Sequence, residues 1–328
     1  MKIGLRLPHY GDHCTHERIF GNARWIEQAG FNSVWVRDHL SFRPHAFEGK
    51  GTNILEPFTT LSAIAALTNR LKLGTSAVVT YRHPLVTSAL FGTLAYISKG
   101  RIIPGIGAGG IRETFDAVGL AFEQRGKIVE EMLQILRLTW TQDHVSFHGQ
   151  FYNFDDITID PKPPVDTPLY YGGNTKYSVQ RAVKYCDGWM PSRVPFKVMD
   201  GFMQLIRELE EKEQKQKRTA IKYSALGSID KDSARARQRI GIERIIGNQA
   251  RLIKQCKWEG VSATEEDLDG VIIAGSPQEF VDQLSRFQER GIEEILLEFR
   301  TTYDEWEKTL DLLATGVLPH FRGDSDGK

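Results

Sequence analysis

Cysteine is scarce in this chain: Cys14, Cys186 and Cys256 are the three in 328 residues. They lie far apart and an odd number cannot all pair, so a disulfide framework is excluded and a reducing, cytoplasmic setting is expected. Net charge is also missing, because 42 Lys and Arg balance 42 Asp and Glu. That removes any global attraction to nucleic acid or to an anionic membrane. No window approaches the roughly 18 uninterrupted apolar residues of a membrane span. The opening MKIGLRLPHYGDH has no apolar stretch leading to a small-residue cleavage site, so no signal peptide is expected. The segment after the first strand, PHYGDHC (Pro8–Cys14), lacks the glycine fingerprint that an open dinucleotide-binding sheet wants there. Ser76 has no glycine-flanked elbow and is no hydrolase nucleophile. His9, His13, Cys14 and His16 match no finger or metalloprotease spacing, so no metal is expected.

What is present is ordinary globular composition, 41% apolar and 26% charged, in a length that suits a barrel of about 250 residues with insertions. Ile3–Leu7 reads as a first strand, and Glu17–Ala29 as a helix ending at Gly30. Three more strands follow at Asn32–Arg37, Leu71–Val79 and Arg101–Gly107. Helices are expected at Pro57–Asn69, Pro84–Ser98 and Arg125–Trp140. The alternation then breaks with a hairpin at Val145–Phe154 turning at Gly149, and a proline-rich extended passage. It resumes with strands at Leu169–Tyr171, Gly188–Pro191, Ile221–Ile229 and Glu294–Phe299. The helices between and after them are Tyr177–Tyr185, Lys197–Lys217, Pro277–Arg290 and Asp304–Ala314. The charged stretch Asp230–Asp269 is expected to be a helical insertion. Alternation of this kind predicts a parallel sheet with helices outside. The expectation is one α/β domain over residues 1–322, a (β/α)8 TIM barrel with insertions after strand 4 and after strand 7, and a disordered tail at 323–328.

In such a barrel the chemistry lies at the C-terminal ends of the strands. His9 follows the first strand. Asp38 and His39 follow the second, and Ser76, Thr80, Tyr81, Arg82 and His83 follow the third. Ala108, Gly109 and Gly110 follow the fourth; Gly172, Gly173, Asn174 and Thr175 follow the fifth. Ser192 and Arg193 close the sixth, and Glu298 and Arg300 the eighth. Bare glycine backbone at 109 and 110 can approach a flat ring. Gly172–Thr175 leads into a helix, whose first N–H groups bind phosphate. The same glycines also serve simple tight turns. Asp38 can accept from a cofactor edge and His39 can carry a proton near neutral pH, or the two can be a structural pair in which Asp38 caps its loop.

The segments GFNSVWVRDHL (Gly30–Leu40), LTNRLKLGTSAVVTYRHP (Leu67–Pro84), ISKGRIIPGIGAGG (Ile97–Gly110), LYYGGNTKYSVQRAVKYCDGWMP (Leu169–Pro191) and GSPQEFVDQLSRFQERGIEEILLEF (Gly275–Phe299) carry a resemblance. The chain resembles the bacterial-luciferase-like monooxygenase superfamily, and within it the coenzyme F420-dependent oxidoreductases. The resemblance implies a TIM barrel binding F420 or reduced flavin mononucleotide (FMN) in the strand-end cavity. It implies that Asp38 contacts the cofactor and His39 faces the substrate. It places a bulge at Ser76-Ala77, often with a non-prolyl cis peptide, behind the ring. Ala108-Gly109 would lie along the ring and Gly172–Thr175 would hold the phosphate. The sugar-phosphate dehydrogenases of the superfamily carry Glu where this chain has Gly110 and Trp where it has Arg43. Both departures weigh against a sugar-phosphate substrate, and Glu113 stands one turn beyond as a substitute acid–base partner. His9, Arg43, Glu113 and Arg300 are taken as substrate-pocket residues.

Three functions follow as expectations. The first is an F420-dependent oxidoreductase moving hydride to or from a small organic substrate, with His39 catalytic. The second is an FMN-dependent monooxygenase, and the third a non-catalytic flavin-binding protein of the same fold. A homodimer without nucleic-acid or membrane partners is expected.

Overall fold

The computed structural model describes residues 1–42 and 49–321. Arg43 and the 323–328 tail lie outside the described residues. In chain order, the first half holds β1 (Lys2–Arg6), α1 (Ala23–Gln28), β2 (Ser33–Val36), α2 (Pro57–Leu67), β3 (Lys72–Thr75) and β4 (Val78–Val79). It continues with α3 (Pro84–Ser98), β5 (Ile102–Ile103), β6 (Gly105–Gly107), α4 (Arg112–Ala117) and α5 (Arg125–Thr141). Then come β7 (Val145–His148), β8 (Asn153–Ile157), β9 (Tyr170–Gly172), α6 (Lys176–Tyr185), β10 (Gly188–Met190), α7 (Phe196–Lys212) and β11 (Ala220–Ile229). The last part is α8 (Ser233–Ile240), α9 (Ile242–Cys256), β12 (Ile272–Gly275), α10 (Pro277–Glu289), β13 (Glu294–Glu298) and α11 (Trp306–Gly316).

Eleven strands form one curled sheet, ordered β4-β6-β9-β10-β11-β13-β1-β2-β3-β5 with β12 added beside β11. Every pairing in it is parallel. Parallel neighbours need a crossover, and the helices between strands supply it, which is the α/β architecture that the alternation predicts. The expected third strand is two pieces, β3 and β4, separated by a cis peptide at Ser76-Ala77. The expected fourth strand is also two pieces, β5 and β6, separated by Pro104, which has no N–H to give a ladder. β3 pairs with β5 and β4 with β6.

Other differences from the sequence reading are local. The hairpin's second arm extends to Ile157. The short helix α4 and strand β12 were not anticipated, the one for want of length and the other because VIIAG sits directly after a charged stretch. The 230–269 region, expected to be a helical insertion, holds two helices, since Gly241 stands at φ +69 between α8 and α9.

The strands point large apolar groups to both faces, as expected of a sheet buried on both sides. Outward residues such as Leu5, Val34, Val36 and Ile295 join the core under the helices. Inward, Trp35, Ile103, Tyr170, Met190 and Leu296 form a separate interior cluster. Trp35 fits only because Gly4 and Gly74 stand beside it; a Cβ at either would come within 2.7 Å of its indole. Beside it Lys222 pairs with Glu294 at 2.5 Å, and Ser33 donates to the same carboxylate, so this lower layer pairs one cation with one anion.

Candidate active site at the strand ends

A pocket opens where β2, β4, β6 and β9 end. Its wall is made by Arg37, Asp38 and His39 after β2, by Ser76, Ala77 and Val79 around the cis peptide, by Gly107, Gly109 and Gly110 after β6, and by Gly172. Ile111 at the start of α4, with Thr114 and Phe115 on it, closes one side. Much of this wall is bare backbone. A Cβ at Gly107 or Gly172 would lie 3.3 or 3.2 Å from the Ala77 methyl, so the three residues stack with no room between them. Gly109 stands at φ +81 with Val79 and Phe115 pressed against it, a position that only glycine fills without strain. Gly110 has open space where a side chain would be. Thr80 lies behind this wall; its hydroxyl donates to the Ala108 carbonyl at 3.2 Å and ties the two loops together. A smooth, mostly apolar face of this kind suits a planar ring, so the residues present fit a flavin-type group.

Asp38 is on the wall, but its carboxylate is already occupied. It accepts from the Val79 N–H at 3.1 Å, the Tyr81 hydroxyl at 2.7 Å, and Arg82 Nε and Nη2 at 2.8 Å each. A carboxylate has about four lone-pair sites, and four donors fill them. Burial, with the Asp38 charge second, pushes the Tyr81 hydroxyl far above its ordinary range, so it stays a donor. Protein donors therefore take the lone pairs that the expected cofactor contact would use, while Asp38 still lines the pocket. Asp38 braces the turn that carries Val79–Arg82 and thereby holds the Ser76-Ala77 step in place. His39, half-buried, lines the pocket together with Asp38 and Tyr81.

The other expected pocket residues are distributed differently. His9 is not a pocket residue. Its ring is fully buried, with Nδ1 3.0 Å from the Leu7 carbonyl and Nε2 accepting from the Arg37 N–H at 2.8 Å. Burial, then the Arg37 charge, pushes its pKa down to about 3, so it is a neutral strut between the ends of β1 and β2. Glu113 is exposed on α4, while its neighbours Thr114 and Phe115 turn inward; helical spacing puts successive residues on different faces. Arg300 is buried and donates to Glu298 through Nε at 2.8 Å and through Nη2. Arg43 lies outside the described residues. Of Gly172–Thr175, only Gly172 reaches the pocket wall. The Gly173 N–H donates to the Met190 carbonyl at 3.4 Å. The Asn174 amide bridges both backbone groups of Ser192, at 2.9 and 3.0 Å, and Thr175 caps α6 by accepting from the Ser178 N–H at 3.2 Å. Arg6 and Arg37 were overlooked. Their signal was an arginine at the end of an apolar strand, in GLRL and VWVR. Among the described residues no group of three or more His, Cys, Asp and Glu is placed to hold a metal ion. Among them also, no helix is long and apolar enough to cross a membrane.

The family profile described as luciferase-like monooxygenase matches residues 9–294. The chain belongs to the luciferase-like monooxygenase family. Within that family it is 26% identical over 314 residues to an F420-dependent glucose-6-phosphate dehydrogenase of Amycolatopsis mediterranei (strain U-32), covering 90% of this chain and 92% of the relative. Its fold is similar to the monooxygenase RslO1 from Streptomyces bottropensis, with a TM-score of 0.77, 24% identity, and coverage of 98% of this chain and 100% of that one. It is likewise similar to the coenzyme F420-dependent tetrahydromethanopterin reductase from Methanopyrus kandleri, with a TM-score of 0.75, 21% identity, and coverage of 98% and 99%. This luciferase-like chain therefore has both deazaflavin-dependent and monooxygenase proteins among its likenesses. The luciferase-like fold accounts for the strand-end location of the pocket.

Proposed function

We propose that this protein is an F420-dependent oxidoreductase that moves hydride between the deazaflavin and a small organic substrate. We read its sheet as the (β/α)8 barrel of the family, taking β3 with β4 and β5 with β6 as single strands. The observation that carries the reading is the side-chain-free wall of Ala77, Gly107, Gly109, Gly110 and Gly172 with His39 beside it. Ala77, Gly107 and Gly109 would back the ring, and the Gly172–Thr175 connection into α6 would take the phosphate. Bound there, the cofactor would supply hydride donor or acceptor chemistry. The chain itself would exclude water with Ile111 and Phe115, and His39 would hold or deliver a proton to the substrate. The dehydrogenase relatives whose names specify F420 support the deazaflavin. The likeness to monooxygenase structures favours a second reading, an FMN-dependent monooxygenase. Titration of the pure protein with F420 and with FMN, followed by tryptophan quenching, separates the two. Tighter F420 binding is expected. Tight FMN binding with no measurable F420 binding overturns the deazaflavin assignment in favour of the second reading.

A further inference from the structure

Three hydroxyls stand on the pocket wall, on Ser76, Tyr81 and Thr114. The Tyr81 hydroxyl donates to Asp38 at 2.7 Å, and Thr114 sits on the short helix α4. Ser76 differs from both, because a cation holds its hydroxyl from behind. It follows β3, and its backbone N–H donates to the Val36 carbonyl at 2.8 Å, which fixes it beside the end of β2. Its Oγ accepts from Arg6 Nη2 at 2.8 Å. Arg6 ends β1, is 4% exposed, and also donates weakly to Ser224 Oγ at 3.4 Å.

The direction of the Arg6–Ser76 bond is set by chemistry. A guanidinium carries N–H donors, has no acceptor and keeps its proton inside proteins. Ser76 Oγ is therefore the acceptor, and its own proton points elsewhere. Among the described residues that is the one hydrogen bond its Oγ makes, so no protein acceptor takes the Ser76 proton. Ser76 lines the pocket, and the pocket is where an acceptor comes from. A hydroxyl that accepts from a cation is also a stronger donor, because linked hydrogen bonds polarise one another.

We propose that Ser76 determines specificity for the redox state of the ring: its hydroxyl, backed by Arg6, donates to an acceptor atom of the bound ring and favours the reduced form. Hydride carries two electrons and one proton, so a ring that takes it up gains one negative charge until a further proton follows. A hydrogen bond to a charged acceptor is about twice as strong as one to a neutral acceptor. Ser76 therefore holds the ring more tightly after hydride uptake than before it. The inference deepens the proposed function and rests on it, since Ala77, the next residue, would back that ring.

Wild type, Ser76→Ala and Ser76→Thr are titrated without air with F420 and with FMN, each oxidised and chemically reduced, in mildly alkaline buffer. Binding is read from tryptophan quenching, and the quantity compared is the ratio of reduced to oxidised affinity for whichever cofactor binds. Ser76→Ala should weaken the reduced form roughly tenfold or more and the oxidised form about two- to tenfold, so the ratio falls. Ser76→Thr keeps a hydroxyl and should restore the wild-type ratio. Ser76→Cys, a weak donor of similar size, replaces Ser76→Ala if that variant does not fold. An equal loss in both redox states makes Ser76 a wall residue only and overturns the proposal, as does unchanged affinity. Binding of neither cofactor to wild type overturns the proposed function and this inference together. Binding of either one with an unmoved ratio in the variant overturns this inference alone.

Discussion

At the scale of single residues, Asp38 and His39 are adjacent in sequence and opposite in role. Asp38 spends its carboxylate on Val79, Tyr81 and Arg82, whereas His39 faces the pocket. Asp38→Ala should therefore act as a stability mutation first. It leaves the Tyr81 hydroxyl and the Arg82 guanidinium short of an acceptor, at a cost of about 2–3 kcal/mol. That is below the full value for a buried pair, because Arg82 is partly exposed and also meets Glu56. Urea unfolding would measure it, and weaker cofactor binding should accompany the loosened Val79–Arg82 turn. A stability within a few tenths of a kcal/mol of wild type would contradict the brace. His39→Ala should leave the unfolding midpoint and cofactor affinity nearly unchanged and lower turnover about a hundred-fold, the usual worth of a positioned acid or base. Full turnover in that variant would reduce His39 to a wall residue.

At the scale of elements, the ends of β4, β6 and β9 meet with almost no side chains between them. This is a matter of pairing: β4 lies beside β6 and β6 beside β9, so three short strands bring Ala77, Gly107 and Gly172 into contact. Gly110 stands just beyond, with open space at its Cβ position. Gly110→Leu should fold normally, because nothing lies within 4 Å of the Cβ it adds. It should nevertheless fill part of the pocket and weaken ring binding by roughly tenfold or more, in keeping with the costs of overfilling a packed site. Unchanged cofactor affinity in a folded Gly110→Leu protein would move the ring elsewhere. The sequence showed these elements well where they are long and periodic, as in α3, α5 and α10. It showed them poorly where a strand is interrupted. Pro104 and the Ser76-Ala77 step each split a run that reads as continuous from apolar pattern alone, because pattern reports burial and not backbone direction.

At the scale of the whole molecule, burying His9 makes stability depend on pH. Its pKa is 6.5 ordinarily and about 3 in the folded protein. Between those values the unfolded chain binds a proton that the folded protein does not, so stability rises with pH across that window. The contribution is fully present above about pH 6.5 and is lost as pH falls toward 3, at up to about 1.4 kcal/mol per pH unit. Urea unfolding of wild type and of His9→Asn at pH 7 and at pH 5 would check this. Wild type should lose more stability than the variant on acidification, and equal losses would show that the buried ring does not set this dependence.

The sequence by itself determined the α/β class, because helical and strand periods alternate along the chain and each period needs its own buried face. It also determined the family, since the motifs run in one order through most of the length, and it located the pocket, since strand ends are readable once the strands are. Only the tertiary structure decided which polar residues face that pocket. His9 and Arg300 sit beside strand ends just as Asp38 and His39 do, yet of these four only Asp38 and His39 line the pocket, and nothing in local pattern separates them. The difference arises from distant partners. Leu7 and Arg37 close over His9, the Val79–Arg82 turn fills Asp38, and Glu298 takes Arg300. Arg6 and Ser76 are 70 residues apart in the chain, and they meet only because β1 and β3 curl around the same interior.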